Sequence, residues 1–363
     1  MKVIPYHPEE LKNIKTPKEV ISSNNQQQQF CLIFGGGGWR SLFFLGLLYF
    51  IENFIGKDQL KKRWKFAGES GGSLFAAYMA LGLDTVELIE VIRKVANGAY
   101  NSYFHGIFES ESFGNAFLDI LFTGLPDQVV KENGDRLIIS TNLIDFCSGF
   151  TCKGTLKPHL LKNFETINDI KLAINCSAYL PGPHPILKTP KVKGKFCCDA
   201  GLTTAGSVPS FDNCVIIYSL CCGAPYPGVP SQFNYPSIEP KKYLDCGLLS
   251  LVTAPSPQEF DEMIFNGYEC TSAFFMKYGS SLFQLKLNIP NKIPMKPIEP
   301  ILKNAKKEYA SIKKIVQRGV AGKYQALREA QLVQWTNILS LLTLLVGSDD
   351  GGGFDDATTR KKK

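Results

Sequence analysis

The sequence predicts an α/β sandwich with a central, mostly parallel sheet, and three observations carry that expectation. Short apolar runs of strand character alternate with helical patterns through most of the chain. Phe30-Cys31-Leu32-Ile33-Phe34 runs straight into Gly35, Gly36, Gly37 and Gly38, and an almost wholly apolar stretch follows over residues 41–54. A second apolar run over residues 64–67 enters Gly68-Glu69-Ser70-Gly71-Gly72 and then a small-residue helical pattern over 71–81. Strand, glycine turn and helix occur twice in succession, and such a turn presents backbone N–H groups to an anion.

Each element has its own justification. Residues 1–29 are polar and end in Gln26, Gln27, Gln28 and Gln29, which reads as a loosely held arm. Residues 41–54 are apolar all round, the pattern of a fully buried helix, and too short for a bilayer, which needs about 20 residues. Asp84-Thr85-Val86-Glu87 resembles a capping box and opens a helix to about Ala96. The aromatic-rich stretch 100–124, with Phe104, Phe108, Phe113, Phe117 and Phe122, is expected to serve core packing rather than a lid. Strands are expected over 136–143, with a neighbour at 150–153, over 195–199 and over 214–220. Thr166-Ile167-Asn168-Asp169 starts a helix to Ala178, stopped by the proline-rich turn 181–185. A surface loop over 225–240, a helix over 257–278 and a last strand over 282–287 complete a domain spanning 30–299. A helical segment, 300–347, and a disordered tail, 348–363, follow it.

Composition narrows the class. A chain of 363 residues with 44% hydrophobic content buries a sizeable core, which excludes global disorder. The net charge of +7 and the terminal Arg360-Lys361-Lys362-Lys363 suit an anionic surface or plain solubility. No basic run is interleaved with aromatics as nucleic-acid binding requires, so nucleic acid is not an expected partner. The eleven cysteines form no Cys-x-x-Cys pair and sit mostly in apolar runs, where Cys acts as a small hydrophobe. The first residues carry no apolar h-region, and a reducing, cytoplasmic compartment is the expectation.

Gly68-Glu69-Ser70-Gly71-Gly72 fits Gly-x-Ser-x-Gly between a strand and a helix, the context of a nucleophile elbow. Ser70 is thereby a candidate nucleophile at a helix N-terminus, with Gly71 supporting the sharp turn. Ser73 reads as an ordinary first-turn helix serine. The glycine loop lacks the third glycine of a dinucleotide fingerprint, where Ser41 stands, and lacks the Gly-Lys-Ser/Thr of a Walker loop. Donors for an acyl oxyanion are therefore the stronger reading, with Arg40 adding positive charge nearby. The nucleophile needs a base. Of His7, His105, His159 and His184, only His159 and His184 follow Ser70 in α/β-hydrolase order. Asp199, closing a strand ahead of Ala200-Gly201, is the carboxylate option.

Gly36-Gly37-Gly38-Trp39-Arg40, Gly68-Glu69-Ser70-Gly71-Gly72 and Asp199-Ala200-Gly201, in that order, resemble the patatin-like phospholipases. Ser177-Ala178-Tyr179-Leu180-Pro181-Gly182 resembles the family's helix end ahead of the aspartate. The likeness spans residues 30–209, with Ser41 and Ala200 standing where the family usually has glycine. It implies a three-layer α/β/α fold and a Ser–Asp dyad without histidine or cofactor. Ser70 would be the nucleophile, Asp199 the base, and Gly36, Gly37 and Gly38 the oxyanion hole. The activity implied is hydrolysis of lipid esters at a membrane or lipid-droplet surface. The rival readings are a Ser-His-Asp esterase using His159 or His184, and a silent lipid-binding protein on the same fold. Residues 331–346 place Trp335, Ile338, Leu339, Leu342 and Leu345 on one helical face, suited to the core or to an interface.

Overall fold

The computed structural model describes residues 1–5, 29–101, 118–146, 154–180, 189–202, 211, 214–221, 237–240 and 251–283. In chain order the strands are β1 (Lys2–Pro5), β2 (Gln29–Phe34), β3 (Trp64–Glu69), β4 (Leu137–Phe146) and β5 (Gly154–Lys162), then β6 (Lys191–Val192), β7 (Lys195–Cys198), β8 (Cys214–Ser219) and β9 (Ser237–Ile238). The helices are α1 (Phe43–Ile55), α2 (Lys57–Arg63), α3 (Gly71–Leu81) and α4 (Thr85–Asn101), then α5 (Asp127–Asn133), α6 (Ile167–Ala178) and α7 (Pro257–Phe283).

The strands form one sheet in the order β1-β5-β4-β3-β2-β8-β9. Its centre is parallel, β4 to β9 through β3, β2 and β8, and it is flanked by helices, as expected for this fold class. Antiparallel pairing lies on the other side, where β5 joins β4 and β1 joins β5, and at the end of β4 beyond β3, where β7 joins β4 and β6 joins β7. Parallel strands read as continuous apolar runs because both faces are covered. In β2, Phe30, Leu32 and Phe34 enter the large cluster that holds the buried apolar side chains of the helices. Cys31 and Ile33 face the other way, into a smaller cluster with Ala67, Ile138, Cys214, Ile216 and Tyr218.

Local chemistry explains the element ends. Thr166 Oγ1 accepts the Asp169 N–H at 3.1 Å, and Asp169 Oδ2 accepts the Thr166 N–H at 3.2 Å, a capping box at the start of α6. Asp84 Oδ1 accepts the N–H groups of Val86 and Glu87, starting α4, which runs past Ala96 to Asn101. Helices α1 and α7 approach backbone to backbone. A Cβ at Gly46 would stand 1.8 Å from the Ile264 carbonyl oxygen, and one at Gly267 would stand 1.9 Å from that of Phe43. The buried Arg136 guanidinium donates to the carbonyls of Leu60, Trp64 and Ala80 at 2.9, 3.0 and 3.0 Å, tying α2, β3 and the end of α3 together.

Several expectations change. Lys2–Pro5, read as part of a polar arm, pairs antiparallel with β5. Lys157-Pro158-His159, read as a loop, lies within β5; Pro158 falls just past the stretch that β1 pairs with, so the missing N–H meets at most one neighbouring strand. Arg136 precedes β4 in a 3₁₀ turn rather than starting the strand. Helix α7 continues to Phe283, across the start of the strand expected over 282–287. Phe122 is a core residue. Phe104, Phe108, Phe113 and Phe117, the strand at 150–153, the turn 181–185, most of the loop 225–240, and everything from 284 onward lie outside the described residues. No described helix is long and apolar enough to cross a membrane.

Candidate active site

Three segments converge at one end of the parallel strands. The first is the elbow. Ser70 follows β3 directly and precedes α3, with φ 48° and ψ −130°. A non-glycine residue at positive φ stores strain, which the surroundings must over-determine. The flanking glycines supply the room. A Cβ at Gly68 would meet the Gly72 carbonyl oxygen and Ser73 Cα at 2.6 Å, and one at Gly72 would meet the Phe34 carbonyl oxygen at 2.4 Å. The elbow is held through its backbone as well: the Ser70 N–H donates to Ser177 Oγ at 2.8 Å, and Ser73 Oγ donates to the Ser70 carbonyl at 2.6 Å.

The second segment carries Asp199. Strand β4 pairs with β5 along one edge and shares its other edge between two strands. Parallel β3 covers the first part, ending with Glu69 opposite Ser140. Antiparallel β7 covers the part beyond, ending with Cys198 opposite Asn142. The residues that leave these two strands, Ser70 and Asp199, therefore meet at the level of Thr141. Ser70 Oγ donates to Asp199 Oδ2 at 2.6 Å. Asn142 Nδ2 donates to the carbonyls of Asp199 (2.6 Å) and Ala200 (3.1 Å), and Thr141 Oγ1 to those of Cys176 (2.9 Å) and Cys198 (3.1 Å). The Asp199 N–H donates to the Tyr179 carbonyl at 2.7 Å. The Gly201 N–H donates to Asp199 Oδ1 at 2.8 Å, within a 3₁₀ turn, Ala200–Leu202, in which Ala200 has no positive φ, so alanine fits where glycine is usual.

The carboxyl is buried, and burial pushes Asp199 up to about 7, with the nearby Glu69 charge adding to the rise and the bonds from Ser70 and Gly201 opposing it. A carboxylate at that value exchanges its proton near neutrality, as a general base must.

The third segment is the glycine loop. Gly35 continues the β2–β8 ladder through its N–H to the Ser219 carbonyl at 2.9 Å. Gly36 differs from its expected role as an oxyanion donor, because its N–H donates to Glu69 Oε1 at 3.3 Å. It lines the site instead: a Cβ there would stand 3.1 Å from Ser70 Cβ. Among the described residues, the N–H groups of Gly37 and Gly38 have no acceptor, and neither has that of Gly71 at the start of α3. Gly38 has φ 50°, and a Cβ on it would overlap the Leu251 carbonyl at 2.0 Å, so only glycine fits. A Cβ at Gly71 would stand 2.6 Å from Ser41 Oγ, which is how the elbow packs against the loop. Arg40 follows the loop; its Nε is buried without a hydrogen bond, and its guanidinium has no ion pair among the described residues.

His159 is on β5, with Nδ1 against the Lys157 carbonyl at 2.9 Å, and makes no bond to Ser70. His184 lies outside the described residues. Sequence reasoning missed Glu69, Ser177 and Asn142 as contributors. For Glu69 and Asn142 the signal was a charged or amide side chain inside a buried strand, which must be partnered.

No family model and no curated protein matches this chain. Among solved structures it is similar to VipD from Legionella pneumophila, at 12% identity and TM-score 0.37 over 89% of this chain and 81% of that one. It is similar to the type III effector protein ExoU, at 13% identity and TM-score 0.35 over 69% of this chain and 53% of that one. Full-length ExoU in complex with full-length SpcU, from the type III secretion system of Pseudomonas aeruginosa, matches at 12% identity and TM-score 0.30, over 69% of this chain and 52% of that one. The chain spans about half the length of the ExoU chains it matches, and likenesses this distant assign neither family nor activity.

Proposed function

We propose that this chain is a serine acyl hydrolase of lipid esters, of the phospholipase A, lysophospholipase or acylglycerol lipase kind. The observation that carries the reading is the 2.6 Å bond from Ser70 Oγ to a buried Asp199, at a strained strand-to-helix turn. In this reaction Asp199 Oδ2 takes the Ser70 proton as Oγ attacks the ester carbonyl. The oxyanion that develops is held by the N–H groups of Gly37 and Gly38, aided by the N-terminus of α3 at Gly71. Asp199 returns the proton to the departing alcohol, leaving the acyl group on Ser70. Water then attacks that ester, Asp199 takes its proton, and the fatty acid leaves with Ser70 restored. Arg40 adds positive charge beside the loop. The dyad needs no histidine, in keeping with the resemblance to the patatin-like phospholipases. Lipid as the substrate class rests on that resemblance and on the amphipathic pattern of residues 331–346 ahead of a basic end, which suits a protein that meets its substrate at a membrane or droplet surface from the cytoplasm.

The test is fatty-acid release by purified protein from phospholipid vesicles, lysophospholipid and acylglycerol emulsions, beside Ser70→Ala. Release by the wild type alone is the expected result. Lipid binding without release from any of the three would overturn the reading in favour of a lipid-binding protein.

A further inference from the structure

Glu69 is the variable residue inside Gly68-Glu69-Ser70-Gly71-Gly72, and nothing in the chemistry just described uses it. It is the last residue of β3 and is buried, 6% exposed, on the sheet face opposite the large core. A buried carboxylate in a strand is costly unless its oxygens are satisfied. Here Oε1 accepts twice, from the Gly36 N–H at 3.3 Å and from the Tyr218 hydroxyl at 3.0 Å. Tyr218 stands on β8, opposite Ile33 of β2. One carboxylate thus ties together the strand that ends at the nucleophile, the first turn of the glycine loop and the strand on the far side of that loop.

We propose that Glu69 is a positioning residue that aims the glycine loop at the nucleophile, by withdrawing the Gly36 N–H into a clamp closed by Tyr218 and so leaving the N–H groups of Gly37 and Gly38 turned to the reacting carbonyl. The proposal rests on the hydrolase reading. Its physical content is a choice among peptide orientations. Glycines permit many conformations, so a loop of four of them has no single shape of its own. A bond from Glu69 to Gly36, reinforced on the carbonyl side by the Cys221 thiol donating to the Gly36 oxygen at 3.4 Å, fixes the peptides on both sides of Gly36. Glu69 is covalently joined to Ser70, so the same side chain that fixes the loop moves with the elbow. The distance between nucleophile and donors is then set by one residue rather than by two independent segments. Charge adds to the geometry. Burial raises the Glu69 carboxyl above its ordinary range, while the two donated bonds oppose that rise and favour the ionised form.

The experiment compares Glu69→Ala, Glu69→Gln and Tyr218→Phe with the wild type and Ser70→Ala on a soluble short-chain ester, reading kcat, KM and the midpoint of thermal unfolding. A glutamine oxygen accepts both bonds, so it keeps the clamp; alanine removes it. Glu69→Ala is expected to lose about 10²-fold in kcat with KM nearly unchanged, the scale of an ångström of misplacement. Glu69→Gln should recover most of that loss, and Tyr218→Phe should fall between the two. Wild-type kcat in Glu69→Ala overturns the positioning role. So does an equal loss of kcat in the Gln and Ala variants with matching falls in unfolding temperature, since that is the signature of packing alone. Should Glu69→Ala fail to fold, Glu69→Gln and Tyr218→Phe decide: unchanged kcat in Tyr218→Phe overturns the clamp. No turnover in the wild type above Ser70→Ala overturns the hydrolase reading itself, and the role of Glu69 with it, a result distinct from the loss of the positioning role alone.

Discussion

Ser70 Oγ and Asp199 Oδ2 lie 2.6 Å apart although 129 residues of chain separate them. They meet because β3 and β7 enter the same edge of β4 from opposite directions, parallel and antiparallel, and stop one register step either side of Thr141. Replacing either member should remove the reaction. Ser70→Ala and Asp199→Asn are each expected to lower kcat on a chromogenic fatty-acyl ester by about 10⁴-fold, as loss of a dyad or triad member does. His159→Ala should retain most activity, because that imidazole is bonded to the Lys157 carbonyl. Abolished turnover in a folded His159→Ala protein would install the histidine triad instead.

The pH dependence follows from the buried base. Asp199 must be ionised to take the Ser70 proton, and its carboxyl titrates at about 7. Activity is therefore expected to rise with pH through about 7. The folded value lies above the ordinary 3.8, so the stability Asp199 contributes is fully present below that ordinary value and is lost as pH rises through about 7. Asp199→Asn removes the titration. It should unfold at a higher temperature than the wild type at about pH 8, with the gap narrowing as pH falls through about 7 and closing only below the ordinary 3.8. An acid limb near the ordinary carboxylate range, or no stability gap at the higher pH, would contradict this.

Gly38 tests the oxyanion loop. Its φ of 50° and the 2.0 Å that would separate a Cβ from the Leu251 carbonyl leave no room for alanine without moving the loop. Gly38→Ala is expected to reduce kcat by about 10²-fold or more, the usual cost of a displaced oxyanion donor. Binding of a substrate analogue should change much less. Loss of binding with kcat preserved would assign the loop to docking.

The last test concerns the chain end, residues 331–363, which lie outside the described residues. Trp335, Ile338, Leu339, Leu342 and Leu345 share a helical face, and the basic run of residues 360–363 follows. Deleting 331–363 is expected to weaken sedimentation with anionic liposomes while activity on a soluble ester survives. Loss of soluble-ester activity, or of solubility, would assign this segment to the core.

What the sequence determined by itself was local. The elbow, the glycine loop and α3 are legible because each is a short-range consequence of residue type: apolar runs for the strands, and glycine where a Cβ would strike backbone at Gly68 or Gly72. The parallel centre followed from the same alternation of elements. Pairing was not legible, because hydrogen bonds between strands carry no sequence signature of their partners. Hence Lys2–Pro5 reads as an arm and Lys157-Pro158-His159 as a loop from sequence, although both belong to strands. The same limit applies within the candidate site. Gly36, Gly37 and Gly38 are identical in sequence, yet Gly36 faces the Glu69 carboxylate and the other two do not. Which peptide of a glycine loop points where is decided by the side chains that three strands bring to it, and that is a property of the tertiary structure alone.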